Sequence, residues 1–251
     1  KNINNAYREA NGEYLIPLAS DDEFASPGVV SQIVERFLST GADVLETSRV
    51  LCELTGETVR YQPYISSRRY VEKHINTPYK QYLANIFSEY YDAVAGSTLY
   101  IRKEFLQRNG YFDERYRLLE DWPFLTDYSW DRCITYAFDI VSIRYRLGGI
   151  TNSTEKKIHL LSDMETSGIA ADLRFYNSNT RMAHYGELDR FAQRKLRYAS
   201  KRYDAATKQE LIRLWLSFPD VMLTKVVYAL RCKWFDDRDK RKRNRDAAAS
   251  R

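Results

Sequence analysis

The strongest constraint on the fold is a short apolar run, Glu13–Ala19 (EYLIPLA), that ends abruptly on Ser20-Asp21-Asp22-Glu23. The run is too short for a helix of its own and reads as a buried strand. Before it, Ile3, Ala6, Tyr7 and Ala10 recur at helical spacing and stop at Asn11-Gly12. After it, Ser26-Pro27 offers an N-cap with proline in the first helical position. Val29, Val30, Ile33, Val34, Phe37 and Leu38 then form an apolar stripe closed by Gly41, and Asp43–Thr47 reads as the next strand. Helix, strand, acidic turn, helix and strand in this order predict a layered α/β domain.

Farther along, Cys52–Tyr91 is polar and aromatic with no clear period, so it predicts mixed short elements. Thr98–Ile101 reads as a strand, followed by a short helix from Lys103 that stops at Asn109-Gly110. A loop then reaches Leu119-Glu120-Asp121-Trp122-Pro123, and a helix is expected from there to about Asp131. Ile134–Tyr145, rich in β-branched and aromatic residues, reads as a strand broken by Gly148-Gly149. Beyond Gly149 the pattern turns helical, over 155–175, 187–202, 205–218 and 220–234. The expected organisation is a mixed domain over 1–150, a helical region over 151–235, and a basic, disordered tail over 236–251.

Composition narrows the function classes. The chain has 251 residues, enough to bury a real core, and 20 tyrosines, whose flat faces suit sugar stacking as well as ordinary cores. Cys52, Cys133 and Cys232 are widely spaced and form no zinc pattern with His74, His159 and His184. The net charge is +5, of which residues 236–251 supply +3 from seven Lys/Arg and four Asp. Basicity is thus largely a property of the tail, which suits either a solvated end or contact with anionic headgroups. No basic, aromatic-interleaved face points to nucleic acid. No stretch approaches the ~20 apolar residues of a spanning helix, and no leader pattern is seen. The expected location is the cytoplasm, with peripheral contact at the inner face of the membrane through the tail.

Two acidic pairs carry the chemistry. Asp21 and Asp22 stand at the carboxyl end of a strand, where open α/β sheets present ligands. Mg²⁺ or Mn²⁺ needs only one or two carboxylates there, and keeps its waters. The same residues also suit a solvated turn before a helix, where carboxylates favour the positive end of the dipole. Glu120-Asp121, the second pair, offers a general base for a hydroxyl, or simply an acidic helix start.

Read together, NGEYLIPLASDDEF (11–24), GSTLYIRKEFL (96–106), GYFDE (110–114), LEDWPF (119–124) and YRLGGI (145–150) resemble glycosyltransferase family 2. The resemblance covers about residues 1–150. It implies a GT-A fold, an α/β nucleotide-diphospho-sugar transferase sheet with flanking helices, here followed by a helical appendage. It also implies metal-assisted, inverting transfer from a UDP- or GDP-type nucleotide sugar to a hydroxyl of a glycan or lipid-linked acceptor, in cell-surface polysaccharide synthesis. A non-catalytic glycosyltransferase-like module for carbohydrate binding or assembly is the alternative.

By position, Asp21 matches the last acidic residue of the family's D-x-D metal motif, and Asp22 matches the acidic residue that follows. Asp121 matches the catalytic base, with Glu120 beside it as a positioning group. Gly96 and Ser97 match the segment lining the sugar and acceptor site. Trp122 stands where an acceptor platform is expected, and Arg146 where a phosphate or acceptor contact is expected. The first D-x-D position is Ala19, a departure that bears on metal affinity and donor choice. The family's opening strands, which hold the base and ribose, would precede Lys1. The chain therefore reads as a truncated piece, expected to be inactive or very weak alone.

Overall fold

The computed structural model describes residues 2–63, 65–87, 96–116, 120–147, 189–204 and 207–224, with helical positions at 226–227, 230, 233–234, 237–238, 241 and 245, the last four of them in the tail expected to be disordered. Two compact units result, Lys1–Glu114 with Phe124–Lys156, and Arg115–Pro123 with Lys157–Arg251.

The first unit is a mixed α/β layer structure, as the sequence pattern predicts. Its strands are β1 (Tyr14–Leu15), β2 (Glu23–Phe24), β3 (Val44–Cys52), β4 (Thr58–Gln62), β5 (Leu99–Arg102) and β6 (Thr135–Arg146). They form one sheet in the order β1-β5-β3-β6-β2, with β4 also paired to β3. Only β3 and β6 run parallel; every other pairing is antiparallel. β3 is buried at every position but Arg49, as expected of a central strand covered on both faces.

Side-chain alternation along the strands sorts the core into two layers. Val44, Leu99 and Ile101 face α1 (Asn2–Glu9), α5 (Lys103–Asn109) and α6 (Asp121–Asp131), meeting Tyr7, Phe105, Leu106, Leu125 and Tyr128. Leu45 and Tyr100 face the other way, onto Val29, Ile33 and Phe37 of α2 (Val29–Thr40). Those three helix residues are at most 1 % exposed, and burying each contributes about 1.5–3 kcal/mol. Gly41 ends α2 in the left-handed conformation (φ 65°), with its N–H on the Phe37 carbonyl.

Three local expectations are corrected. The Glu13–Ala19 run pairs over Tyr14–Leu15 alone, since Pro17 has no N–H to give the ladder. Gly28, not Ser26, caps α2, and the Ser26 carbonyl instead accepts from Val29 N–H in a turn (3.2 Å). β3 runs on to Cys52, past the expected end at Thr47, because β4 and β6 pair with its second half. Within 52–91 the described residues form β4, α3 (Ile65–His74) and α4 (Pro78–Phe87).

Buried polar side chains stitch the unit together. Gln81 of α4 acts as a strand substitute, accepting from Ile134 N–H at 2.6 Å and donating to Ile134 and Ile75 carbonyls. Asn4 of α1 does the same for Phe112, donating to its carbonyl (2.7 Å) and accepting from its N–H (3.1 Å).

In the second unit, α7 (Arg190–Asp204) and α8 (Lys208–Ser217) pack around Tyr198, Leu214, Phe218 and Val221. Thr207 and Glu210 close a reciprocal capping box at the start of α8. Arg194 grips Asp220 through two 2.8 Å hydrogen bonds. The expected helix over 155–175 lies outside the described residues.

Candidate functional site

The acidic turn is fastened to the end of β6. Asp22 N–H donates to the Ala19 carbonyl at 3.1 Å, which closes the turn. Glu23 and Phe24 then pair with Arg144 and Ile143, and Glu23 accepts from Arg144 Nε at 2.6 Å. Asp22 Oδ1 accepts from the Arg146 backbone N–H at 3.0 Å. Its Oδ2 is buried and has no hydrogen-bond partner. Burial raises the Asp22 pKa, against the Arg146 amide bond; Asp21 raises it further, while the Arg49 and Arg146 charges oppose. Asp21 is exposed beside it.

Arg49 faces this region from β3, and the motif reading does not find it. Its Nη1 donates to Ser97 Oγ at 2.7 Å, and its Nε and Nη2 donate to Gln62 Oε1 at 2.8 and 2.6 Å. Its guanidinium lies 4.2 Å from the centre of the Tyr145 ring, a cation–π distance. Gly96 and Ser97 belong to a 3₁₀ turn, Gly96–Thr98, that leads into β5. Buried Glu46 of β3 holds the same turn, accepting from Thr98 Oγ1 at 2.6 Å. Two β3 side chains thus clamp the Gly96–Thr98 turn.

The unit therefore gathers Asp22, Arg49, Ser97, Tyr145 and the Arg146 amide around the second halves of β3 and β6. The Arg146 side chain itself is exposed, and its contribution to the turn is its main-chain N–H. The signal for Arg49 in the sequence is a lone arginine in the strand VLETSRVLC, at its one position that is not fully buried. A charge set in a buried strand needs hydrogen-bond partners, and Gln62 and Ser97 supply them.

Glu120 and Asp121 fall in the second unit, with Arg115–Pro123. Asp121 is the first residue of α6 and Glu120 precedes it, both half-buried, an acidic start of the kind helix N-termini attract. Trp122 stands in the first turn of α6, and its side chain lies outside the described ones.

Among the described residues no three His, Cys, Asp or Glu side chains cluster to hold a metal. The Asp21-Asp22 pair nonetheless fits a hard, largely hydrated cation such as Mg²⁺ or Mn²⁺. A buried carboxylate oxygen without a donor is the coordination atom such an ion takes, and the Arg146 amide keeps the carboxylate turned. No protein-family model matches the chain, and no curated protein matches it.

Proposed function

We propose that this chain carries the GT-A-type module of a family 2 glycosyltransferase, which moves a sugar from a nucleotide diphosphate donor to an acceptor hydroxyl with inversion. The reading is supported by a mixed sheet with helices on both faces and an acidic turn tied to a strand end. The single observation that carries it is Asp22, held by the Arg146 amide with its second oxygen buried and without a hydrogen bond.

In this reading Asp22 and Asp21 would hold Mg²⁺ or Mn²⁺, which would supply Lewis-acid stabilisation of the leaving nucleoside diphosphate. Arg49 adds a fixed positive charge on the same side and keeps Ser97 turned toward donor or acceptor. Asp121 takes the proton from the attacking hydroxyl, and Glu120 orients that hydroxyl. One base suffices, because the leaving group is a phosphate that needs no protonation by a second carboxylic acid. The donor is of UDP or GDP type, and the acceptor a glycan or lipid-linked sugar of a cell-surface polysaccharide. No described helix is long and apolar enough to cross a membrane, and we place the reaction on the cytoplasmic side.

The test is sugar transfer from a panel of UDP- and GDP-sugars by the intact protein and its Asp121→Asn variant. Loss of a general base costs about 10²- to 10⁴-fold in rate, with donor binding retained. An unchanged rate in the variant removes the catalytic reading and leaves a carbohydrate-binding or assembly module.

A further inference from the structure

The second unit exposes an apolar stripe that its own small core does not use. Leu223, Val226, Val227, Leu230 and Trp234 are all helical and 48–66 % exposed. Their spacing of three and four residues puts them on one face of a helix. The preceding α8 repeats the pattern, with Leu214 buried against Tyr198 and Phe218 while Leu216 is 76 % exposed. Water-facing stripes of this size seldom persist without an occupant.

What lies next along the same face identifies that occupant. Arg238, Arg241 and Arg245 are helical and continue the face beyond Trp234 at the same period. Arg238 lies 5.2 Å from the Trp234 ring centre, joining the apolar and cationic parts of the face. Asp237 is the single acidic residue among the described positions from 226 to 245. An aqueous protein partner is matched by apolar residues ringed by mixed polarity. A stripe of aliphatic residues, then tryptophan, then arginines instead follows the profile of a bilayer surface, from acyl chain through interface to phosphate. No described helix is long and apolar enough to span the bilayer, so the geometry suits lying in its surface.

We infer that the face formed by Leu223, Val226, Val227, Leu230 and Trp234 docks this protein on an anionic phospholipid membrane, with Arg238, Arg241 and Arg245 on the lipid phosphates. This inference is independent of the transferase reading, since it uses none of its residues. The basic segment alone gives weak, salt-screened attraction, and the apolar stripe supplies insertion that salt does not remove.

The test is flotation of the whole chain with phosphatidylcholine vesicles, with and without phosphatidylglycerol. Binding is expected to the phosphatidylglycerol vesicles, with a blue shift of tryptophan emission. Replacing Arg238, Arg241 and Arg245 by alanine should weaken partitioning on the order of a hundredfold, at about fivefold per cation. Leu230→Glu, at an exposed position that folding does not need, should weaken it on the order of tenfold. Circular dichroism of each variant reports that the fold is kept. Three results overturn the inference: no flotation, equal flotation with neutral vesicles, or partitioning untouched by both variants. A concentration-dependent dimer that Leu230→Glu abolishes, without vesicle binding, would assign the face to a second copy instead.

Discussion

Asp22 and Arg146 are joined carboxylate to main-chain amide at 3.0 Å, and that bond ties the acidic turn to the end of β6. The bond satisfies one oxygen and leaves the other buried without a donor. An ionised carboxylate held in this way costs stability, because it is desolvated and stands next to Asp21.

Asp22→Asn should therefore be at least as stable as the parent at neutral pH without divalent ions. Burial raises the Asp22 pKa above its unfolded value, so the folded state holds the proton more tightly. That contribution is present below about pH 4 and is lost as pH rises through the folded pKa. The advantage of the variant should appear only above that range, in thermal melts run across pH. Mg²⁺ or Mn²⁺ should raise the melting temperature of the parent and not of the variant. A cation shift that survives the substitution would show that the ion binds elsewhere.

Arg49 is the pivot of the region around Ser97. Arg49→Ala leaves Gln62 Oε1 and Ser97 Oγ without the donors at 2.6–2.8 Å, and should cost about 1–3 kcal/mol in urea unfolding. Lysine should not restore it, since one ammonium cannot reproduce a fork reaching two partners. Because Ser97 shares the bond, the double variant with Ser97→Ala should lose less than the sum of the singles. Additive losses would show that the contact carries no coupling.

Asn4 fixes the GYFDE block, whose Phe112 lies 108 residues farther along the chain. Its side-chain amide pairs with both main-chain polar groups of Phe112, and Nδ2 also reaches Glu114 at 3.2 Å. The Asn4 bond, the first cause, holds the Glu114 pKa below its ordinary value, and Arg8 adds to it. Asn4→Ala strands two buried main-chain groups and should destabilise by about 1–3 kcal/mol for each group left unsatisfied. Asn4→Asp keeps the acceptor for Phe112 N–H but sets a carboxylate oxygen against the Phe112 carbonyl and Glu114, so it should rescue nothing. A stability equal to the parent's in either variant would count against the pairing.

Local signals made much of this fold legible. The α1 stripe, the α2 stripe with Gly41, and the Lys103 helix ending at Asn109 all follow from periodicity and stop residues. Asp22 stands out in the sequence for the apolar run ahead of it, yet β1 ends at Leu15 and Asp22 immediately precedes β2. Arg49 was not legible, because its partners Gln62, Ser97 and Tyr145 come from β4, the turn before β5, and β6, and only pairing brings them together. Strand limits failed for a related reason: β3 extends as far as its neighbours pair with it. The Glu46–Thr98 bond was equally hidden, since nothing in the local sequence marks a glutamate that is 1 % exposed.

Ser48 connects the sheet irregularity to the acidic turn. Two steps along β3, from Thr47 to Arg49, carry the pairing on β6 from Ala137 to Ile143. The intervening bulge pulls the Phe138 and Ile140 carbonyls off the ladder, and Ser48 Oγ lies 3.0 and 2.9 Å from them. Arg68 Nη1 also donates to the Phe138 carbonyl, at 2.6 Å, so Ile140 depends more on the serine. Beyond the bulge β6 presents Arg144 to Glu23 and the Arg146 amide to Asp22. Ser48→Ala should cost about 1–3 kcal/mol, because the site is fully buried and no water replaces the hydroxyl. The register of β6 sets the Arg146 amide, so the same substitution should also reduce the cation-induced rise in melting temperature. If the cation effect stays intact while stability falls, the bulge supports the sheet alone and the acidic turn is placed by β2 pairing.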